Sequence, residues 1–284
     1  MPSKSSKGKD EHERQIRSLT IFCESPAILP LAKDAARLLG DLIEPMTVKV
    51  ESRLFSDGPD ELEQMSGAFV GLRLTDPAKR DARIADSFAV RDFEKRVIAG
   101  DSRACGVPYA GLGLMRLYQR SSRILRGVPE KVSVILTERL IMTWSEDDLR
   151  YHARVAVFGF PCIVSTSGIV EAPARPREYY IIRQMLEMKG IGNPEVALVQ
   201  QFSGRYLETD DARTEQVLRG YLAQCLFYSH GLQPFCDDRD CMLFNAHWQE
   251  EMIRAQVESG RLCASHAEQL RKMVEGASVA WTAR

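Results

Sequence analysis

Apolar residues along the chain alternate first with a period of two, then repeat at helical spacing, then alternate again. "SLTIFC" (Ser18 to Cys23) is alternating and β-branched, which predicts a strand closed by Pro26. In "AILPLAKDAARLLGDLI" the positions Ile28, Leu31, Ala35, Leu38, Leu39 and Leu42 form one apolar stripe, predicting an amphipathic helix. "MTVKVESRLF" then reads as a second strand, and the β-α-β order predicts a parallel pair in an α/β layer. Residues 56–108 are more polar, with a helix predicted over "DSFAVRDFEKRVIAG" and stopped at Gly100. "GVPYAGLGLMRLYQ" reads as a loop leading into a helix; it lacks G-x-G-x-x-G and the lysine of a phosphate loop. "VSVILT" (Val132 to Thr137) is the most apolar run and suits a strand buried on both faces. "SEDDLRYHA" reads as a polar connection, and "RVAVFG" and "CIVSTSGIV" as two further strands. Helices follow over "EYYIIRQMLEMKG", "DDARTEQVLRGYLAQCLFYSHG", "WQEEMIRAQVESG" and "CASHAEQLRKMVEGA", the first two stopped at Gly190 and Gly231.

Composition narrows the class. At 284 residues, with 44% hydrophobic and 27% charged, the chain can bury a core as one large domain or two modest ones. A net charge of -1 gives no electrostatic case for nucleic acid or an anionic membrane. No segment approaches the roughly 20 apolar residues that cross a bilayer. Residues 1–17 are polar, lack an apolar signal core and read as a solvated, mobile tail. Seven cysteines cannot all pair, which favours a reducing, cytoplasmic compartment with some thiols free and others available to metal.

Four residues point to that metal. Cys236-x4-Cys241 and Cys263-x2-His266 are two short-spaced pairs that a hairpin of chain could bring together. A structural zinc closes a tetrahedral shell with thiolate and imidazole ligands alone, so these residues form a Cys3His candidate for one structural zinc. The alternative is a set of ordinary buried cysteines beside a surface histidine. His230 and His247 flank the first pair as rival ligands, and His247 could instead cap the following helix.

These residues resemble the archaemetzincins, whose pattern is H-E-x-x-H-x-x-G-x-x-H-C-x4-C-x-M followed by C-x-x-C. Gly231-Leu232, Cys236-x4-Cys241 and Cys263-x2-His266 fall in the same order at nearly the same spacing. "VILTERLIMTWSEDDLRYHARVAVFGFPCIVSTSGIV" is similar to that family's strand region. The "TERLI", "EAPARPREYY" and "NAHWQEE" segments resemble a group of metallopeptidase-like proteins, over roughly residues 132–275. The resemblance implies a metzincin-like mixed α/β sheet with packed helices and a small zinc-bound helical C-terminal subdomain. It divides the chain into the tail (1–17), an α/β domain (18–235) and the zinc-binding subdomain (236–284). The chain departs from the family where catalysis would reside. Gln224, Cys225 and Tyr228 occupy the H-E-x-x-H positions, Pro234 or Phe235 the third histidine, and Leu243 the Met-turn position, beside Met242. A catalytic zinc of this type needs those imidazoles and a glutamate base. The structural zinc is therefore expected without the catalytic one.

A second constellation surrounds the apolar strands. Arg150, His152, Arg175 and Arg177 could bind an anion, with Glu171 nearby, or could belong to an ion-paired loop. His152, Glu171 and Tyr228 are the candidates for any catalytic role. Cys225 could be a reactive thiol or a packed core residue, and its apolar neighbours favour the core. Two functions remain open: a binding protein on a degenerate peptidase scaffold, holding a peptide or small anionic ligand, and an active zinc-dependent hydrolase using a non-standard site.

Overall fold

The computed structural model describes residues 18–55, 58–120 and 131–275; the tail predicted over 1–17 lies outside the described residues. Strand β1 (Ser18–Cys23), helix α1 (Leu29–Ile43) and strand β2 (Thr47–Glu51) form the expected unit, with β1 and β2 parallel. Pro59–Val70 (α2) and Phe88–Ala99 (α3) follow. Gly100 ends α3 at φ 92, a backbone region glycine reaches without a Cβ clash. Pro108–Ala110 (β3) leads into Gly111–Gln119 (α4). After residue 130 come Lys131–Thr137 (β4), Leu140–Ser145 (β5), Arg150–Arg154 (β6), Ala156–Val157 (β7) and Cys162–Ser165 (β8). The helices Thr166–Glu171 (α5), Arg177–Met188 (α6), Glu195–Gln201 (α7), Thr214–Ser229 (α8), Gln249–Ile253 (α9) and Ala264–Glu275 (α10) complete the described chain. A π-helical turn, Arg254–Ser259, extends α9.

The main sheet has the order β2-β1-β4-β8-β7, parallel except for the short antiparallel edge strand β7. Alternation along its strands makes two apolar layers. Leu19, Ile21, Val134, Leu136, Cys162 and Val164 face the layer that contains α1 and α8. Phe22, Ile135 and Ile163 face the other layer, with Phe69, Tyr109, Leu114 and Tyr118. "VSVILT" is buried throughout because helices cover both faces of its strand. The first layer also includes Cys241, Met252, Leu270 and Met273, so the C-terminal helices share a core with the sheet.

Three departures from the sequence expectations have local causes. The run "CIVSTSGIV" is a strand only to Ser165, whose hydroxyl then accepts from Gly168 N at 2.8 Å and turns the chain into α5. The segment "SEDDLRYHA" is partly a strand, because β6 pairs antiparallel with β5 and sets Trp144 against Tyr151 at 5.1 Å. Helices α2 and α7 were not predicted; α7 is short and buries Leu198 fully, but no other residue.

The second sheet, β3-β5-β6, joins the first through a buried ionic cluster. Arg139, between β4 and β5, is 0% exposed. Its Nε donates to Glu24 at 2.5 Å and its Nη1 to Glu94 at 2.5 Å. Glu24 also accepts from Thr137 and from Tyr118, the latter at 2.6 Å, while Glu94 accepts from Tyr109 at 2.6 Å. Arg73 lies 3.5 Å from Glu94, so two carboxylates meet two guanidiniums. The remaining face of Arg139 covers the rings of Phe69 at 3.7 Å and Tyr109 at 4.5 Å. Removing one member of a buried ion cluster strands the others without compensation. Arg139→Met should therefore lower unfolding stability by about 3–5 kcal/mol in urea titrations. An exposed pair such as Arg271 with Glu268 should cost far less when broken.

Candidate metal centre

Helix α8 is buried along most of its length and ends in a Schellman turn. Gly231 has φ 72, and Leu232 N donates to Phe227 O at 3.0 Å. The chain then enters the cysteine segment. Cys236 N donates to Leu243 O at 2.9 Å, and Met242 N to Arg261 O at 2.7 Å, closing a tight loop beside the residues that precede α10. The acidic residues of "CDDRDC" shape this loop. Asp238 accepts from Asp240 N at 3.0 Å, and Asp240 takes Arg254 at 2.8 Å. Gly260, at φ 59, ends the π turn and lets the chain double back toward Cys263.

The loop and the start of α10 bring the four predicted ligands together. One ligand atom from each of Cys236, Cys241, Cys263 and His266 lies within 4.8 Å of the others. Cys236 Sγ is 3.9 Å from Cys263 Sγ, and His266 Nδ1 is 3.8 Å from Cys241 Sγ and 3.1 Å from Cys263 Sγ. A tetrahedral zinc with sulfur bonds of about 2.3 Å requires edges of about 3.8 Å, so the set has the size of a zinc shell. Its electrostatics suit the ion as well. Backbone N–H groups of Asp238 and Cys263 point at Cys236 and Cys241, each at 3.4 Å, and favour thiolates. Burial pushes the free thiol of Cys236 up to about 12 and raises that of Cys241, so zinc must displace protons to bind. Burial holds His266 below the usual histidine value, which keeps its imidazole neutral and ready to ligate. Its ring packs edge-on against Phe227 of α8 at 5.4 Å, linking ligand and core.

The rival histidines lie elsewhere. His230 points Nδ1 at Leu226 O, 2.9 Å away, and its buried Nε2 has no hydrogen-bond partner among the described residues. His247 contributes its backbone N–H to Glu251 at 3.1 Å, next to the start of α9.

At the positions where the resemblance places catalytic ligands, the side chains are packing residues. Gln224 is 1% exposed, and its amide reaches Leu243 O at 3.5 Å, tying α8 to the cysteine loop. Cys225 is fully buried and in hydrogen-bond contact with Cys162; burial pushes its thiol up, so it is a neutral core group. Tyr228 is half-exposed and lies against Phe158 at 5.3 Å, while Phe158 also meets Phe235 at 5.6 Å. Pro234 and Leu243 are buried.

The four anion-site candidates lie on different elements, each with its own partners. Arg150 and His152 are on β6, with His152 Nε2 2.8 Å from Asp148. Arg175 lies between α5 and α6, over the rings of Tyr179 and Tyr206 and 3.7 Å from Glu195; Arg177 covers the ring of Trp248. Glu171 and Arg175 line one cavity of about 320 Å³ with Tyr180 and Arg183. The buried cluster of Glu24, Glu94 and Arg139 was missed at the sequence level. Its one signal was a charged pair, Glu138-Arg139, directly after the most apolar strand.

Fold and site thus define a mixed α/β protein with a Cys3His set able to hold zinc. Residues 20–273 match the probable metallopeptidase family (DUF6775), and the chain belongs to that family. Two solved structures are similar in outline. Archaemetzincin from Methanopyrus kandleri is 13% identical, with 92% of this chain and 97% of that one covered at a TM-score of 0.46. A zinc-dependent peptidase from Methanocorpusculum labreanum is 11% identical, with coverage of 90% and 99% and a TM-score of 0.41. No curated protein matches the chain significantly.

Two outcomes follow for this region. Chelation, or Cys263→Ala, should loosen α10 and the cysteine loop before the main sheet, read as faster amide exchange over residues 236–275. Burial also lowers the pKa of His230, so below about 6.5 the unfolded chain takes up a proton that the folded one resists. Stability should fall as pH drops from 7 toward 5, and His230→Leu should flatten that dependence in paired denaturation series.

Proposed function

We propose that this protein is a metallopeptidase-like binding protein whose zinc is structural and whose catalytic metal site has been lost. One observation carries the reading. On α8, Gln224, Cys225 and Tyr228 stand where two imidazoles and a glutamate would be needed, and the first two are sealed into the core. A neutral buried thiol cannot serve as a general base, and a buried amide cannot replace a zinc-binding imidazole at that position. Among the described residues, the Cys3His set is the one group of side chains close enough to hold a metal. All its protein ligands come from the chain, which leaves no open position for water or substrate and suits a structural ion.

The ligand in this reading is a peptide or a small anion. For an anion, Arg175 and Arg183 offer donors in the cavity they line with Tyr180, where the anion would compete with Glu195, which lies 3.7 Å from each. Arg150 and His152 lie on the edge strand β6. All seven cysteines are free, which is compatible with a reducing, cytoplasmic setting. No helix among the described residues is long and apolar enough to cross a membrane.

Membership of a probable metallopeptidase family favours a second reading, an active zinc hydrolase with a non-standard site. Zinc counting separates the two. Purified protein should carry one zinc per chain and show no chelator-sensitive peptide cleavage. Two zinc ions per chain, or metal-dependent cleavage abolished by Tyr228→Phe, would establish the hydrolase instead.

A further inference from the structure

The seven cysteines differ in how far solvent reaches them. Cys23, Cys162, Cys225 and Cys241 are buried, while Cys105, Cys236 and Cys263 are half-buried. Two of those three belong to the Cys3His set, and their sulfurs lie 3.9 Å apart. The third, Cys105, instead has the Glu138 carboxylate 3.7 Å from its sulfur. A thiol with a second thiol in reach has a reversible oxidation open to it that an isolated thiol lacks.

The metal set therefore has two unlike sides. Cys241 is 0% exposed and His266 8%, and the imidazole is closed in by the ring of Phe227. Cys236 and Cys263 form the outer side. They come from different segments, Cys236 from the loop after α8 and Cys263 from the residue just before α10, 27 positions further along the chain. An oxidant arriving from solvent meets these two sulfurs before it meets Cys241.

We propose that Cys236 and Cys263 are a redox pair, which a hydroperoxide converts to a disulfide and thereby opens the metal set. In the first step one sulfur attacks a peroxide oxygen, the O–O bond breaks, and a sulfenic acid and a water form. In the second the other sulfur attacks the sulfenic sulfur, the S–O bond breaks, and a second water leaves. Two thiols are oxidised and one hydrogen peroxide is reduced, giving one disulfide and two waters that carry the thiol protons. Sulfurs joined in a disulfide are no longer thiolate donors. Only Cys241 and His266 then remain of the four donors that close a tetrahedral site. The new bond also ties the cysteine loop to the start of α10, which chelation of the metal would leave untied. The inference rests on the Cys3His set holding zinc, and not on whether a catalytic site survives.

Titration of the zinc-loaded full chain with hydrogen peroxide tests it, with freed zinc read by a chromogenic chelator and disulfides mapped by peptide mass spectrometry. Zinc release should follow the loss of two thiols and the appearance of a peptide linking Cys236 to Cys263, and dithiothreitol should restore zinc binding. Amide exchange over residues 236–275 should quicken less than it does after chelation. Cys105→Ser should leave the release unchanged. Cys236→His keeps four nitrogen and sulfur donors without the second outer thiol, and should slow release by about tenfold or more. A disulfide that includes Cys241, release with no disulfide, or zinc retained while Cys105 is oxidised would each overturn the proposal. If the untreated chain carries no zinc, the metal reading fails, and the linked peptide alone then decides the thiol pairing.

Discussion

The guanidinium of Arg139 is the constraint on which the arrangement depends. It sits where β4 hands over to β5, so it belongs to both sheets at once. Its partners come from the end of β1 (Glu24) and from α3 (Glu94), and its flat face lies on an aromatic ring from α2 (Phe69). Its Nε and Nη1 are held by carboxylates, whereas Nη2 has no hydrogen-bond partner among the described residues, and the pairings it does make leave the surrounding elements little freedom. The cluster thereby fixes the carboxyl edge of the parallel strands. Glu138, the neighbour of Arg139, is paired with Arg103 at that same edge.

Helix α8 organises the opposite layer. It packs against α1 and the sheet on one side and against the π turn and the cysteine loop on the other. The π turn brings Gln256 over Gly220, whose missing Cβ makes room for that side chain: an added Cβ would lie 2.8 Å from the amide carbon. Phe227 then meets the ring of His266. The metal ligands are thus held by a loop and a helix that both rest on α8. A metal bound there would stabilise the C-terminal helices against a helix that is itself part of the main core. In this chain α8 is a structural pillar along the very stretch that in the resembling pattern carries catalytic ligands.

Much of the fold was legible from local patterns. The patterns of Ser18 to Cys23, α1 and β4 each mark an element that forms, but only β4 is buried as its pattern implies. Strand β1 alternates in sequence yet is buried on both faces, and α1 buries Ala32, Ala35, Ala36, Leu39 and Ile43 while Leu31, Leu38 and Leu42 are only partly covered. The candidate metal-holding residues were legible for a different reason: pairs spaced by two or four residues bring their side chains near one another whatever the rest of the fold does. The hairpin of β5 and β6 was hidden because half of it is polar, and only pairing with a neighbour made "RYHAR" a strand. The end of β8 was hidden because one hydroxyl, that of Ser165, converts an apolar run into a helix.

By itself, then, the sequence determined the α/β class, the parallel β-α-β start and a four-residue set that could hold a metal, since each follows from the spacing of residues close in the chain. Only the tertiary structure decided that Arg139 is buried among acids more than forty positions away, at separations of 45 and 115 residues. It alone decided that Gln224 and Cys225 are packing groups and that Glu138 is buried against Arg103. These are matters of burial and of long-range pairing. They depend on which distant segments exclude water from a side chain, and no local period records that.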